Sequence, residues 1–81
     1  MNDRKALLAI LKIYSESSRR FCAMFNDVVA GSIEWNELNK NYCFCLGQLR
    51  GAKELAYALG IITNDERIGY TCDLIYKLEN E

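Results

Sequence analysis

Residues 32–60 read SIEWNELNKNYCFCLGQLRGAKELAYALG, and this stretch decides the fold. Trp35, Leu38, Tyr42, Cys45, Leu49, Ala52, Ala56 and Leu59 advance by three and four, the spacing that gathers side chains on one face of an α-helix. Ser32 and Glu34 compete as caps at its start, and Ile33 is placed to pack back over the first turn. Gly60 ends the run, because glycine takes up the left-handed conformation of a helix stop without steric cost; Ile61 and Ile62 are the apolar residues that commonly come after such a stop. The pattern predicts a helix over 34–59.

On the N-terminal side, Leu7, Leu11, Tyr14, Ser18, Phe21, Phe25 and Val28 form a second stripe of the same period. Asn2 or Asp3 can cap this helix and Gly31 can stop it, so it is expected over 3–30. Lys5, Lys12 and Arg19, seven apart, mark its solvent face. Between Phe21 and Ala30 only Asn26 and Asp27 are polar, and the apolar arc widens there to roughly 160°, more than one neighbouring helix covers. On the C-terminal side, Thr63 and Glu66 form a capping box, opening a helix expected over 64–80 with Ile68, Cys72, Leu74, Ile75 and Leu78 turned inward.

Short connections make successive helices antiparallel. The expected fold class is therefore all-α: one domain over 1–81, an up-down-up three-helix bundle with two long helices and a shorter third. Composition agrees. Apolar residues make up 51% of the 81, charged residues 26%, and there is no proline and only five glycines, too few turn-formers for a β-rich fold of this size.

Ten basic and eleven acidic residues leave a net charge of −1, which demands neither nucleic acid nor an anionic membrane. The charges are unevenly placed. Residues 4–20 hold Arg4, Lys5, Lys12, Arg19 and Arg20 against Glu16, while six acids from Glu54 onward face only Arg67 and Lys77. Packing the first helix beside the last would pair them. No apolar run approaches the roughly 20 residues of a membrane span, and no secretory leader is legible, so a cytoplasmic setting is expected. Cys22, Cys43, Cys45 and Cys72 are expected as reduced core thiols: zinc would want a C-x-x-C pair or histidine, and the chain has neither.

Catalytic chemistry finds little to use. Without histidine, acid–base work near neutrality lacks its usual agent, and none of the cysteines has an obvious activating base. Gly47 and Gly51 fall inside a helix rather than in a phosphate-binding loop. Glu34 and Glu37 resemble half of the Glu-x-x-Glu metal motif of all-α nucleoside triphosphate pyrophosphohydrolases. The second pair is missing, since Glu54 is followed at the matching spacing by Tyr57 and Asp73 stands alone. The expectation is no enzyme activity, no cofactor and no metal.

Binding is the remaining class. The third helix starts where the second ends, so it leaves the far end of the hairpin without a third wall; Phe21, Met24, Phe25, Val28, Val29, Trp35, Leu38 and Tyr42 gather there. Phe44, Gly47 and Gly51, with Leu55 and Ala58, lie opposite or beside the core stripe as a second face of the second helix, one that either packs the third helix closely or lets another chain approach. Exposed aromatic and apolar clusters are what interface cores are built from. These residues are the candidate protein-binding or dimer surface, and a second copy is the expected partner. The alternative is nucleic acid, held by Lys5, Lys12, Arg19 and Arg20 on the basic face of the first helix.

The stretch Ala58-Leu59-Gly60-Ile61-Ile62-Thr63-Asn64-Asp65-Glu66 is similar to a junction common in short all-helical accessory proteins of bacterial phages and mobile elements. The resemblance covers nine of 81 residues and consists of a helix stop followed by a capping box. It implies a small accessory protein that acts by binding. Many proteins of that kind block a host factor, anti-defence inhibitors among them. The resemblance carries over no functional residue.

Overall fold

A computed structural model describes residues 2–81. It is all-α, with helices α1 (Asp3–Met24), α2 (Ile33–Ala58), α3 (Asn64–Ile68) and α4 (Thr71–Glu79), and a 3₁₀ turn at Phe25–Asp27. Asn2 caps α1, its side chain accepting from the amides of Arg4 and Lys5. Ser32, rather than Glu34, caps α2 by accepting from the Trp35 amide. At the other end of α2, Gly60 sits at φ +75°. The Gly60 amide donates to Tyr57 and the Ile61 amide to Ala56, the paired bonds of a Schellman stop. The capping box closes in both directions between Thr63 and Glu66.

Two boundaries differ from the sequence expectation. The first helix ends at Met24, not at Ala30. Asn26 and Asp27 are weak helix formers and Val28 is β-branched; the last turn tightens to 3₁₀ and Val28 runs extended. Gly31, at φ +82°, then completes the turn into Ser32. The third helix is broken into α3 and α4 at Gly69, whose backbone is extended. The buried amine of Lys53 donates to the Gly69 carbonyl at 2.6 Å, taking that acceptor out of any helical ladder. The result is two long helices and two short ones.

The break changes the phase of the C-terminal helix. Leu74 and Leu78 are buried and Ile75 is half-buried, as the pattern predicts, but Ile68 and Cys72 are exposed or nearly so, at the edges of the break. Leu7, Leu11, Leu49, Ala56, Ile62, Leu74 and Leu78 make the core, with Tyr14, Ala52 and Ile61 packed on it. Leu11 is wholly buried. Of the four thiols only Cys45 is buried. Cys22 lies where α4 does not reach, Cys43 is on the outer side of α2, and Cys72 is turned out by the Gly69 break. Leu59, expected in the core stripe, is exposed because the chain turns away immediately after it.

The acidic C-terminal third does fold against basic α1. The Arg4 guanidinium donates to Glu66 at 2.9 Å, to the Ile61 carbonyl at 2.9 Å and to Glu81. Lys77 adds a second cation to Glu66 at 3.1 Å, and Lys12 reaches Glu79 at 3.7 Å. Arg4, with the Thr63 amide and Lys77, holds the Glu66 carboxyl down to about 2. This clasp fixes the lower end of the hairpin. With α4 only nine residues long, about 14 Å, the upper half is left as two helices.

Candidate protein-interaction surface

The antiparallel pair α1–α2 has two sides. One carries α3 and α4. The other carries nothing, and an apolar groove of about 460 Å³ runs along its lower half. Ala6, Leu7, Ile10 and Tyr14 line it from α1; Gln48, Gly51, Ala52, Leu55, Ala56 and Leu59 line it from α2, and Ile61 from the turn beyond. Asp3, at one end, is the one charged residue of the lining. Leu55 and Leu59 stand 62% and 66% exposed, and Phe44, edge-on to Tyr14 at 6.3 Å, is 57% exposed. Ile13 extends the apolar edge upward along α1.

The groove exists because both long helices have a second apolar stripe. In α2 the stripe is Phe44, Gly47, Gly51, Leu55 and Ala58, the second face singled out in the sequence, and neither α3 nor α4 packs on its glycines. In α1 it is Ala6, Ile10 and Ile13, at steps of four and three between the core stripe and the basic face. Sequence reasoning missed Ile10, Ile13 and Leu59. The signal for the first two was present as a wide apolar arc in the N-terminal half of α1, hidden by the more conspicuous aromatic run beyond it.

The glycines are open to solvent. A Cβ built at Gly47 or Gly51 would meet no atom within 4 Å. Neither glycine is therefore required by any packing inside the chain, although each costs α2 about 1 kcal/mol relative to alanine.

The aromatic end is arranged differently from the bare wall the sequence suggests. Phe25 packs edge-on against Trp35 (5.8 Å) and Tyr42 (5.7 Å), Leu38 is buried, and Phe21 and Val28 are half-buried. The two long helices thus cover much of this cluster between themselves. Met24 and Val29 remain open at the tip, 50% and 77% exposed.

The basic residues are spread along the outside of α1. Lys5, Lys12, Arg19 and Arg20 are all exposed; Lys12 is committed to Glu79, and Arg20 approaches the Ser17 hydroxyl at 3.4 Å. Among the described residues Lys5 and Arg19 make no ion pair. Elsewhere, Arg50, Lys53, Glu54 and Arg67 border a hollow of about 410 Å³ near the α3–α4 break. Arg67 is already held there by Glu54 at 2.9 Å and lies over the Tyr57 ring. Burial pushes the Lys53 amine below its ordinary value. No three acidic or cysteine side chains converge as a metal cluster among the described residues, and no helix among them is long and apolar enough to cross a membrane. No protein-family model, curated protein or solved structure matches the chain.

Proposed function

We propose that this protein is a non-enzymatic protein-binding module whose working surface is the uncovered apolar side of the α1–α2 hairpin. One observation carries the reading: a groove flanked by Ile10, Phe44, Leu55 and Leu59, with a single charge at its end, on a chain in which charged residues make up 26%. Isolated exposed apolar residues are ordinary on protein surfaces, but a contiguous charge-poor groove of this kind is the mark of a docking site. Two long helices presenting a shared apolar seam suit a helical partner, by ridges-into-grooves packing.

The resemblance of residues 58–66 to phage and mobile-element accessory proteins adds a setting: a small cytoplasmic protein that modulates or inhibits a host protein by occupying one of its surfaces, in the manner of an anti-defence inhibitor. Four free thiols, three of them exposed, fit a reducing compartment such as the cytoplasm. The absence of histidine from the sequence and the scattering of its carboxylates fit binding rather than catalysis. The unpaired Lys5 and Arg19 favour a second reading, a nucleic-acid-associated regulator using the outer face of α1.

The test is site-specific photo-crosslinking in cells expressing the chain. A photoreactive residue at position 55, in the groove, is expected to trap a protein, whether a second copy or another chain. The same residue at position 76, exposed on α4 away from the groove, is expected to trap none. Silence at position 55 would overturn the proposal.

A further inference from the structure

We propose that the occupant of the groove is a second copy of this chain, and that two hairpins close face to face about a two-fold axis into a four-helix bundle. This pairing rests on the protein-binding reading of the groove and names the partner for that surface.

Surface area is the first sign of a missing partner. A compact monomer of 9.3 kDa exposes about 5,000 Å². This chain exposes 5786 Å². The excess is about 800 Å², enough to include one partner's share of a standard-size interface, with the bare two-helix upper half contributing to it as well. The shape carries the same message. The radius of gyration is 14.5 Å, against about 12 Å for a compact domain of this length, and the principal extents are 42 × 22 × 22 Å. Doubling the short dimension by pairing two hairpins would give a body with a closed core along its lower half.

The face is also self-complementary. A two-fold contact must fit its own surface, so a ridge and a matching furrow must lie on the same face. Both are present. Ile10 and Ile13 project from α1 as a ridge, while Gly47 and Gly51 leave a furrow on α2 in which an added Cβ would meet nothing within 4 Å. A two-fold axis through the groove lays the α1 ridge of each copy over the glycine furrow of the other, with Phe44, Leu55 and Leu59 closing the sides. The glycines, which nothing in a single chain requires, then have a role: they let a second helix come close. The face carries almost no charge, so two copies meet without repulsion.

The experiment is absolute mass in solution, by light scattering and sedimentation equilibrium, on fully reduced protein from about 1 to 100 μM, a range in which an interface of this size associates. Reduction matters because Cys22, Cys43 and Cys72 are exposed and could crosslink copies artificially. The expected result is twice the chain mass. Leu55→Glu should raise the dissociation constant about thirtyfold or more, on the order of a buried hot spot, with helical circular dichroism retained because Leu55 is exposed in the single chain. Gly51→Leu, which fills the furrow without adding charge, should weaken pairing as well. Arg50→Glu, on the other side of α2, should leave it unchanged.

A wild-type monomer at 100 μM, or a dimer indifferent to both Leu55→Glu and Gly51→Leu, would overturn the pairing. If such a monomer still crosslinks to another protein from position 55, the interaction reading stands and only the identity of the occupant is wrong. If position 55 is silent as well, both fall.

Discussion

Replacing Gly47 and Gly51 with alanine should stabilise the single chain, and the structure allows the size of the gain to be worked out. Both glycines lie one turn apart inside α2, and neither has a positive φ; only Gly31 and Gly60 do. A methyl group at either position meets no atom within 4 Å. The change therefore removes backbone freedom from the unfolded chain and adds no clash, a gain of about 1 kcal/mol per site. For a domain of this size 1 kcal/mol moves the thermal midpoint by about 4–8 °C, so the double variant should melt roughly 8–16 °C higher. The measurement belongs in a Leu55→Glu background, which keeps the chain single, with thermal unfolding tracked by far-ultraviolet circular dichroism. Gly31→Ala and Gly60→Ala serve as controls with the opposite sign. At φ +82° and +75° a Cβ meets the following carbonyl, and each should cost about 1–2 kcal/mol. A loss of stability at Gly47 or Gly51 in that background would show that the face is not open, and would remove the physical basis of the groove as a docking surface.

The same geometry sets three further outcomes. Leu11→Ala, at the one wholly buried large side chain among the described residues, should cost about 3–5 kcal/mol out of a total near 4–12; a urea midpoint that hardly moves would show the core to be centred elsewhere. The Glu66 carboxyl lies below its unfolded value, so its contribution to stability is present above about pH 4.5 and is lost as pH falls towards about 2. Urea unfolding between pH 6 and 2 should show that loss, and Glu66→Gln should flatten it; an equally steep profile in the variant would exclude the Arg4–Glu66–Lys77 clasp as its source. Labelled duplex DNA at low salt should migrate unchanged with micromolar protein, and a shift abolished by replacing Lys5 and Arg19 would favour the nucleic-acid reading instead.

Local signals were legible at the helix starts and at one of the two glycine stops; at the other, Gly31, the helix has already given way to a 3₁₀ turn after Met24. The caps at Asn2, Ser32 and Thr63 and the stop at Gly60 all concern hydrogen bonds within a few residues, so sequence spacing is enough to locate them. The core stripes of α1 and α2 were legible for the same reason: periodicity is a local property of a helix. The break at Gly69 was not. It depends on the Lys53 amine, 16 residues away, arriving at the Gly69 carbonyl, and on burial that only the assembled bundle creates.

The candidate surface divides along the same line. Phe44, Gly47 and Gly51 were visible as an apolar face with no purpose in a simple stripe, because two glycines inside a helix violate local preference. The aromatic end was visible too, but composition does not say whether aromatic rings face solvent or one another. That was decided by the hairpin, which brings Phe25 against Trp35 and Tyr42. Tertiary structure also decided which side α3 and α4 take, and hence that Ile10, Leu55 and Leu59 stay uncovered. The sequence by itself determined the two long helices, their N-terminal caps and most of their inward stripes, since those depend on φ, ψ and period. It did not determine the early end of α1, the break at Gly69 or the outward turn of Ile68, Cys72 and Leu59. Which outward face stays uncovered depends on where the short helices dock, and that is set by burial of Ile62, Leu74 and Leu78 against Leu7 and Leu11, with Arg4 on Glu66 and Lys53 on the Gly69 carbonyl; the charge pattern showed that basic α1 would meet the acidic C-terminal third, but not these particular long-range partners.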